Sequence, residues 1–179
     1  GLGDVYKRQV GGHCLPKDPL LLTSVMTRHG VTPDLILKAR EINSSMPSYT
    51  IELLSRVVGD TGLNGRRVLV LGTTFKENVD DTRNSPSKQV IEELLRRGAV
   101  VRAHDPKTNE RFDAEDAGNL RDAVDWAEII VLAVAHSEYL LALPRMSLRG
   151  KVFLDGRNAL SIEDIDPEVY VGIGRPVYR

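Results

Sequence analysis

Short apolar runs alternate with helical patterns over the second half of the chain, and this alternation constrains the fold more than any other feature. Residues 67–71, R-V-L-V-L, contain a continuous apolar run of the kind found in strands buried on both faces. Further runs are predicted as strands at 100–104, 128–134, 151–155 and 169–173, with helices between them at 85–97, 119–125 and 138–143. Strands that alternate with helices predict an α/β fold, a Rossmann-like doubly wound parallel sheet, over residues 61–179.

Two helical patterns precede this sheet. Apolar residues recur at near-helical spacing after Asp18-Pro19, which is typical of an N-cap followed by proline at the first helical position. A second pattern follows a similar pair, Thr32-Pro33, and runs from Asp34 to about Val58, with Pro47 predicted to kink it. That length exceeds the ~10–14 residues of an average helix. It favours a helix that bridges two bodies or lies in a subunit interface, with a plain core helix as the alternative.

The composition excludes several classes of protein. A formal net charge of −1 gives no electrostatic reason to expect nucleic acid or an anionic membrane as a partner. No apolar run approaches the ~20 residues that span a bilayer, and a single cysteine excludes an internal disulfide framework. No secretory signal is recognisable, so a cytoplasmic protein is expected. Residues 1–10 show no periodicity and are predicted to be a leader, either foreign to the fold or natively disordered.

The only cysteine, Cys14, lies in the segment G-G-H-C-L-P-K-D-P at residues 11–19. The two glycines allow the backbone to approach a ligand closely or to adopt a positive φ. Lys17 and the predicted helix N-terminus both favour the thiolate, which is the nucleophilic form of cysteine. These residue types alone predict either a reactive thiol or a small cysteine packed in a tight turn.

Two other uses of the thiol receive little support from the residues. One cysteine and four histidines show no ligand spacing, so no metal site is predicted. A cysteine hydrolase would need a histidine base, for which His29, His104 and His136 are available, and none of them has a recognisable cysteine-protease context.

Polar side chains follow three of the predicted strands and are expected to meet at one edge of the sheet. Phe75, Lys76 and Arg83 follow the first strand, His104-Asp105-Pro106 the second, and Arg157 the fourth. Two arginines and a lysine at one edge suit a diphosphate, although each could equally be a solvated surface cation. The dinucleotide fingerprint G-x-G-x-x-G is absent, so this sheet is not expected to hold the pyrophosphate of NAD.

Four motifs, in this order along residues 11–175, resemble the UDP-glucose/GDP-mannose dehydrogenase family. They are G-G-H-C-L-P-K-D-P, L-G-T-T-F-K-E-N-V-D-D-T-R-N-S-P, a strand followed by D-P and a strand followed by D-G-R. The resemblance implies an NAD-dependent enzyme that oxidises a UDP-sugar at C6 to a uronic acid. It also implies that residues 11–60 hold the catalytic-cysteine turn and a central helical segment that forms a homodimer. The chain would then be the carboxyl-terminal part of the enzyme, without the NAD-binding domain and inactive alone.

The resemblance also assigns roles to individual residues. Cys14 would be the nucleophile, and Asp18 would orient or deprotonate the hydrolytic water. Lys17 and Arg83 would reach toward NAD. The residues in contact with the UDP-sugar would be Gly12, His13, Phe75, Lys76 and Arg157. H-C-x-P-x-D-P and N-x-x-M-P favour members that oxidise N-acetylated sugars such as UDP-N-acetylmannosamine, whereas L-P-K-D also fits UDP-glucose dehydrogenases. A noncatalytic nucleotide-binding or dimerisation module stays open.

Overall fold

The computed structural model describes residues 11–12, 14–59 and 62–179. The predicted leader at 1–10 and the candidate substrate residue His13 lie outside the described residues. The helices are α1 (Cys14–Arg28), α2 (Asp34–Val58), α3 (Pro86–Arg96), α4 (Leu120–Trp126) and α5 (Ser137–Ala142), followed by a 3₁₀ turn at Leu143–Arg145. The strands are β1 (Arg67–Leu71), β2 (Val100–His104), β3 (Glu115–Asp116), β4 (Ile129–Leu132), β5 (Val152–Asp155) and β6 (Val169–Gly172).

All six strands are parallel and form one sheet in the order β3-β2-β1-β4-β5-β6. This confirms the α/β prediction with a doubly wound parallel sheet. The chain order reverses between β1 and β4, and ligands of open α/β sheets bind outside the carboxyl ends of the strands at such a reversal. Leu71 is paired with His104 on one side and with Leu132 on the other, so the loops after β1, β2 and β4 start side by side.

Helices cover both faces of the sheet, which explains the continuous apolar runs of its strands. On one face α2 and α3 pack through Ile51, Leu54 and Leu94 against Val68 and other strand residues. On the other face the core includes buried side chains of α4 and α5 and the segments after them: Ala123, Val124, Tyr139, Leu143 and Leu148. Strands β1, β4, β5 and β6 therefore bury side chains in both directions.

The predicted start of the first helix is wrong. Helix α1 begins at Cys14, so Asp18 is not its N-cap and Pro19 lies inside it. Pro16 is tolerated because the first-turn N–H groups have no intrahelical partner, whereas Pro19 removes one backbone hydrogen bond. Helix α2 begins at Asp34 as expected, but Pro33 is its N-cap and no side chain caps it.

The remaining boundaries agree with the sequence to within a few residues. Ser85 caps α3 by accepting a hydrogen bond from Ser87 N–H, with Pro86 in the first turn. The two-residue strand β3 was not predicted because Glu115 and Asp116 are exposed and carry no apolar pattern. Among the described residues, no helix combines the length and the apolar character needed to cross a bilayer.

Candidate functional site

The glycines of the cysteine segment lie directly against the loop of residues 72–85, which follows β1 and is called the β1 loop below. A Cβ atom added to Gly11 would lie 2.7 Å from the Asn84 carbonyl oxygen. One added to Gly12, whose φ is +83°, would lie 3.0 Å from the Phe75 ring. The side-chain amide of Asn84 donates to the Gly12 carbonyl oxygen (3.2 Å). Two motifs separated by some sixty residues thus form one surface, and glycine is needed for the close approach.

Cys14 is exposed at the first residue of α1, so the alternative of a thiol packed in a tight turn is wrong. It lines a cavity of about 570 Å³ together with Asp18. The two residues are four apart on α1, a spacing that brings side chains to the same face of a helix. The rest of the lining comes from both helices: Leu15, Pro19, Leu22, Leu35, Ile36, Ala39 and Arg40.

A second cavity, of about 550 Å³, is lined by three cations, Lys17, Arg40 and Lys88. Amide and hydroxyl side chains complete its polar wall: Asn43, Ser44, Thr82, Asn84, Ser85 and Gln89. Arg40 lines both cavities, and its Nε is buried without a hydrogen-bond partner among the described residues. The charge and the donors of this second cavity suit an anionic group.

The carboxyl end of β5 brings Arg157 to the β1 loop. The Arg157 side chain is only 10% exposed, and its Nη2 forms an ion pair with Oε2 of Glu77 (3.2 Å). Lys76 is exposed and precedes Glu77, so Lys76 and Arg157 lie at the same edge of the sheet. The structure thus brings together the predicted substrate residues Gly12, Phe75, Lys76 and Arg157.

Arg83 lies on the same loop but is held by its own neighbour. Its Nε lies 2.9 Å and 3.1 Å from the two carboxylate oxygens of Asp81, and its Nη2 lies 2.6 Å from Oδ2. The side chain remains 65% exposed, so the guanidinium faces outward on the Asp81 carboxylate. Lys17 lines the cationic cavity, to which Arg83 does not contribute.

Two carboxylates that follow strands shape the site from within, and sequence reasoning assigned neither a role. Oδ2 of Asp155, the last residue of β5, accepts hydrogen bonds from the N–H groups of Ala159 and Leu160 (2.8 and 2.9 Å), and Oδ1 accepts from that of Arg157 (2.9 Å). Oδ2 of Asp105, after β2, accepts from the N–H groups of Thr73 and Thr74 (2.7 and 3.2 Å). These contacts fix the loops that carry the candidate binding residues.

Asp105 also contacts His136, whose side chain is fully buried after β4. Burial alone would raise the pKa of Asp105, but hydrogen bonds from His136, Thr73 and Lys107 outweigh it and lower the pKa to about 2. The aspartate is therefore ionised at neutral pH. The strand-D-P motif marks its position directly after a strand, but its partners lie about 30 residues away in each direction.

No group of three or more histidine, cysteine, aspartate or glutamate side chains is arranged to hold a metal ion among residues 11–12, 14–59 and 62–179.

Two family models match the chain. The UDP-binding domain of the UDP-glucose/GDP-mannose dehydrogenase family matches residues 69–162, and the central domain of the same family matches residues 7–45. The chain belongs to this family. It carries the UDP-binding domain of a nucleotide-sugar dehydrogenase.

Individual relatives agree with this assignment. The chain is similar to the UDP-N-acetyl-D-mannosamine dehydrogenase of Pyrococcus horikoshii, with 35% identity over 93% of this chain and 39% of the relative. It is also similar to the UDP-glucose 6-dehydrogenase TuaD of Bacillus subtilis, with 30% identity over 94% of this chain and 39% of the relative. The structure of a UDP-glucose dehydrogenase from Pyrobaculum islandicum superposes with a TM-score of 0.81 at 32% identity, covering 93% of this chain and 38% of that one. The chain thus spans about two fifths of the length of these relatives.

Proposed function

We propose that this chain is the carboxyl-terminal part of a cytoplasmic, NAD-dependent nucleotide-sugar 6-dehydrogenase that converts a UDP-sugar to its uronic acid. The observation that carries the proposal is the contact between the cysteine segment and the β1 loop, where Asn84 donates to the Gly12 carbonyl oxygen and Phe75 packs on Gly12. This contact brings the nucleophile segment to the same edge of the sheet as the cations expected to bind the nucleotide sugar.

The binding residues have distinct proposed roles. Arg157 is almost buried and presents a planar fork of donors, the geometry that suits phosphate oxygens, and Lys76 adds a point charge beside it. Phe75 offers an aromatic face close to Gly12. Gly12 and His13 are proposed as further substrate contacts because both belong to the G-G-H-C motif. Arg157 is paired with Glu77 in this structure, so a bound diphosphate would replace Glu77 as the partner of Arg157 or share the guanidinium with it.

Cys14 is proposed to act as the nucleophile of a four-electron oxidation. After the first oxidation has turned the C6 alcohol into an aldehyde, the Cys14 thiolate adds to the carbonyl carbon, and the oxygen takes up a proton to give a thiohemiacetal. Loss of the hydroxyl proton and of the C6 hydride then gives a thioester. Water adds to the thioester, the C–S bond breaks, and the thiolate leaves with release of the carboxylate.

Asp18 is proposed to orient or deprotonate that water. It lines the same cavity as Cys14, and a carboxylate can accept a proton from an attacking water molecule. The cavity wall opposite is largely apolar, with Leu35, Ile36 and Ala39.

NAD⁺, when bound, accepts the hydride of each oxidation. Lys17 and Arg83 are the residues proposed to reach it, and the cationic cavity with Lys17, Arg40 and Lys88 fits an anionic group of the cofactor. Because the chain has no G-x-G-x-x-G motif, these residues would supplement a dinucleotide-binding domain elsewhere in the enzyme.

The substrate is proposed to be UDP-N-acetylmannosamine, with UDP-glucose as the alternative. The relatives whose names specify each sugar are similarly close, at 35% and 30% identity. The division into a helical dimerisation segment at 11–60 and a nucleotide-binding domain at 61–179 belongs to the same proposal. The exposed apolar side chains of α1 and the first half of α2 support a homodimer through this segment.

The test is calorimetric titration of the chain with UDP. We expect weak binding, no reduction of NAD⁺ by the chain alone, and a loss of at least about tenfold in affinity in Arg157→Gln, since a hydrogen bond to a charged group contributes ~1.5–3 kcal/mol. Arg149→Gln is the matched control because Arg149 is 85% exposed and paired with Asp166 away from the site. Equal affinities in the three proteins would contradict the assignment of the phosphate site.

Alkylation distinguishes the enzyme from a noncatalytic nucleotide-binding module. UDP-N-acetylmannosamine and UDP-glucose should each slow iodoacetamide labelling of Cys14, the true substrate more strongly, because its C6 would lie against the thiol. A labelling rate that neither sugar nucleotide changes would favour the module.

A further inference from the structure

His136 follows β4 and lies beside the β1 loop, at the reversal of strand order where ligands of such sheets bind. Its imidazole is fully buried and makes three hydrogen-bond contacts. Nε2 lies 3.1 Å from Oδ2 of Asp105 and 3.1 Å from Oγ1 of Thr74. Nδ1 accepts a hydrogen bond from the backbone N–H of Asn78 (2.9 Å).

The partners determine where the imidazole proton resides. The Thr74 hydroxyl donates its only proton to the Lys76 carbonyl oxygen (2.9 Å), so its oxygen can only accept from His136. The Asp105 carboxylate is ionised and also only accepts. Nε2 therefore carries the proton and shares it between these two oxygens, while Nδ1 carries none because it accepts from Asn78. The hydrogen bonds thus select the tautomer with the proton on Nε2.

This arrangement holds the β1 loop on both sides of Glu77. The Lys76 carbonyl is held through Thr74, and the Asn78 amide is held directly by His136. Asn78 adds a reciprocal pair with Ser137, whose N–H donates to Oδ1 (3.0 Å) and whose Oγ accepts from Nδ2 (3.0 Å). Asn78 has a φ of +60°, a conformation that side chains other than glycine adopt at a cost, and these contacts offset it.

The held segment carries the groups on which nucleotide binding is proposed to depend. Lys76 projects from it, and Glu77 reaches across to the Arg157 guanidinium. A shift of the peptide between Lys76 and Asn78 would move both cations relative to each other. A loop that is ordered before binding also spares the ligand the entropy of ordering it.

We propose that His136 is a positioning residue for nucleotide binding, which sets the conformation of Lys76–Asn78 through the hydrogen bond that its Nδ1 accepts. The inference rests on the proposed function of the β1 loop. His136 does not touch the ligand, since both ring nitrogens are engaged within the fold. The same engagement removes it as a base for Cys14, the role that a cysteine hydrolase would have required.

Two isosteric substitutions separate the two halves of this contact. In His136→Asn the amide oxygen takes the place of Nδ1, so the acceptor for Asn78 is kept and the donor to Asp105 is lost. In His136→Gln the amide nitrogen takes the place of Nε2, so the donor to Asp105 is kept and the acceptor for Asn78 is lost. His29→Gln is the matched control, because His29 is exposed in the turn after α1.

UDP affinity should depend on whether the variant keeps the hydrogen-bond acceptor for Asn78, and not on the overall stability of the variant. We expect binding about tenfold weaker in His136→Gln and within about threefold of wild type in His136→Asn, as for the loss and retention of one hydrogen bond. Both variants should lower the melting temperature, and His29→Gln should change neither quantity. Affinity that is equal in the two His136 variants, or lower in His136→Asn, would overturn the proposal.

Two NMR measurements test the positioning without ligand. The ¹⁵N shifts of the His136 ring should show a pyrrole-type Nε2 and a pyridine-type Nδ1, and the opposite tautomer would overturn the inference. The Asn78 amide should exchange with solvent slowly in wild type and His136→Asn and at least about tenfold faster in His136→Gln. If wild type failed to bind UDP, the proposed function would fail, while this exchange rate would still decide for or against the positioning role.

Discussion

The two halves of helix α2 have similar side chains and opposite surroundings. In the first half Leu35 is 84% exposed and Ile42 is 54% exposed, whereas in the second half Ile51 and Leu54 are fully buried against α3 and the sheet. An apolar pattern at helical spacing therefore identifies a face that is suited to burial. Only the tertiary structure shows which element, if any, packs against that face. The first half, with α1, presents the kind of contiguous apolar surface that marks an interaction site.

The largest expected effect on stability is found by truncating one leucine in each half of α2 and comparing the two variants. Leu54→Ala should lower the free energy of unfolding by about 3 kcal/mol, because it removes buried methyl groups and leaves a cavity. At protein concentrations low enough to keep the chain monomeric, Leu35→Ala should change it by less than about 0.5 kcal/mol, because its side chain is then in water. Urea unfolding of both variants and wild type measures the two values.

A large loss of stability in Leu35→Ala at low protein concentration would contradict the comparison, because it would mean that a single chain already buries this face. Repeating the measurement over a range of protein concentrations identifies burial between copies, since the stability of a dimer rises with protein concentration.

The second prediction concerns acid and the buried charge beneath the β1 loop. The pKa of Asp105 in the folded protein is about 2, below its usual value of 3.8. Its carboxylate thus contributes about 2 kcal/mol of stability, fully present above about pH 4 and lost as the pH falls through 2. Urea unfolding between pH 5 and pH 2 should show this loss in wild type and not in Asp105→Asn. Parallel pH profiles in the two proteins would contradict it.

The sheet was predictable because of where its strands lie. Strands such as β1 and β4 are buried on both faces, so each has a continuous apolar run with polar turns on either side. The edge strand β3 consists of two exposed acidic residues that pair with β2. Because they are not buried, their sequence has no apolar pattern from which a strand could be predicted. The predicted start of α1 is wrong because Asp18-Pro19 has the pattern of an N-cap followed by a first helical proline, although the helix begins five residues before Pro19.

The candidate site shows the same contrast. Phe75, Lys76 and Arg157 are candidates from the sequence because they belong to contiguous motifs that follow strands. The positioning role proposed for His136 has no such motif, because it depends on Asp105 and Asn78, which come from two other loops of the sheet. Candidate ligand contacts are thus marked by a local motif, whereas candidate positioning residues are recognised only in the fold.

The smallest effect tests the junction between the two regions, where Gly12 meets the β1 loop. Gly12→Ala and Gly30→Ala both place a side chain at a positive φ, +83° and +73°. A Cβ at Gly30 meets nothing within 4 Å, whereas one at Gly12 lies 3.0 Å from the Phe75 ring. Each should lower the free energy of unfolding by about 1 kcal/mol through backbone strain.

Only Gly12→Ala should also weaken UDP binding, because relief of the contact moves Phe75 and separates the cysteine segment from the β1 loop. Titration of both variants with UDP measures this, and the difference between them isolates the contact from the strain. If Gly30→Ala weakened binding as much as Gly12→Ala, the effect would come from α1 as a whole, and the junction would not be the element that joins the cysteine segment to the proposed nucleotide site.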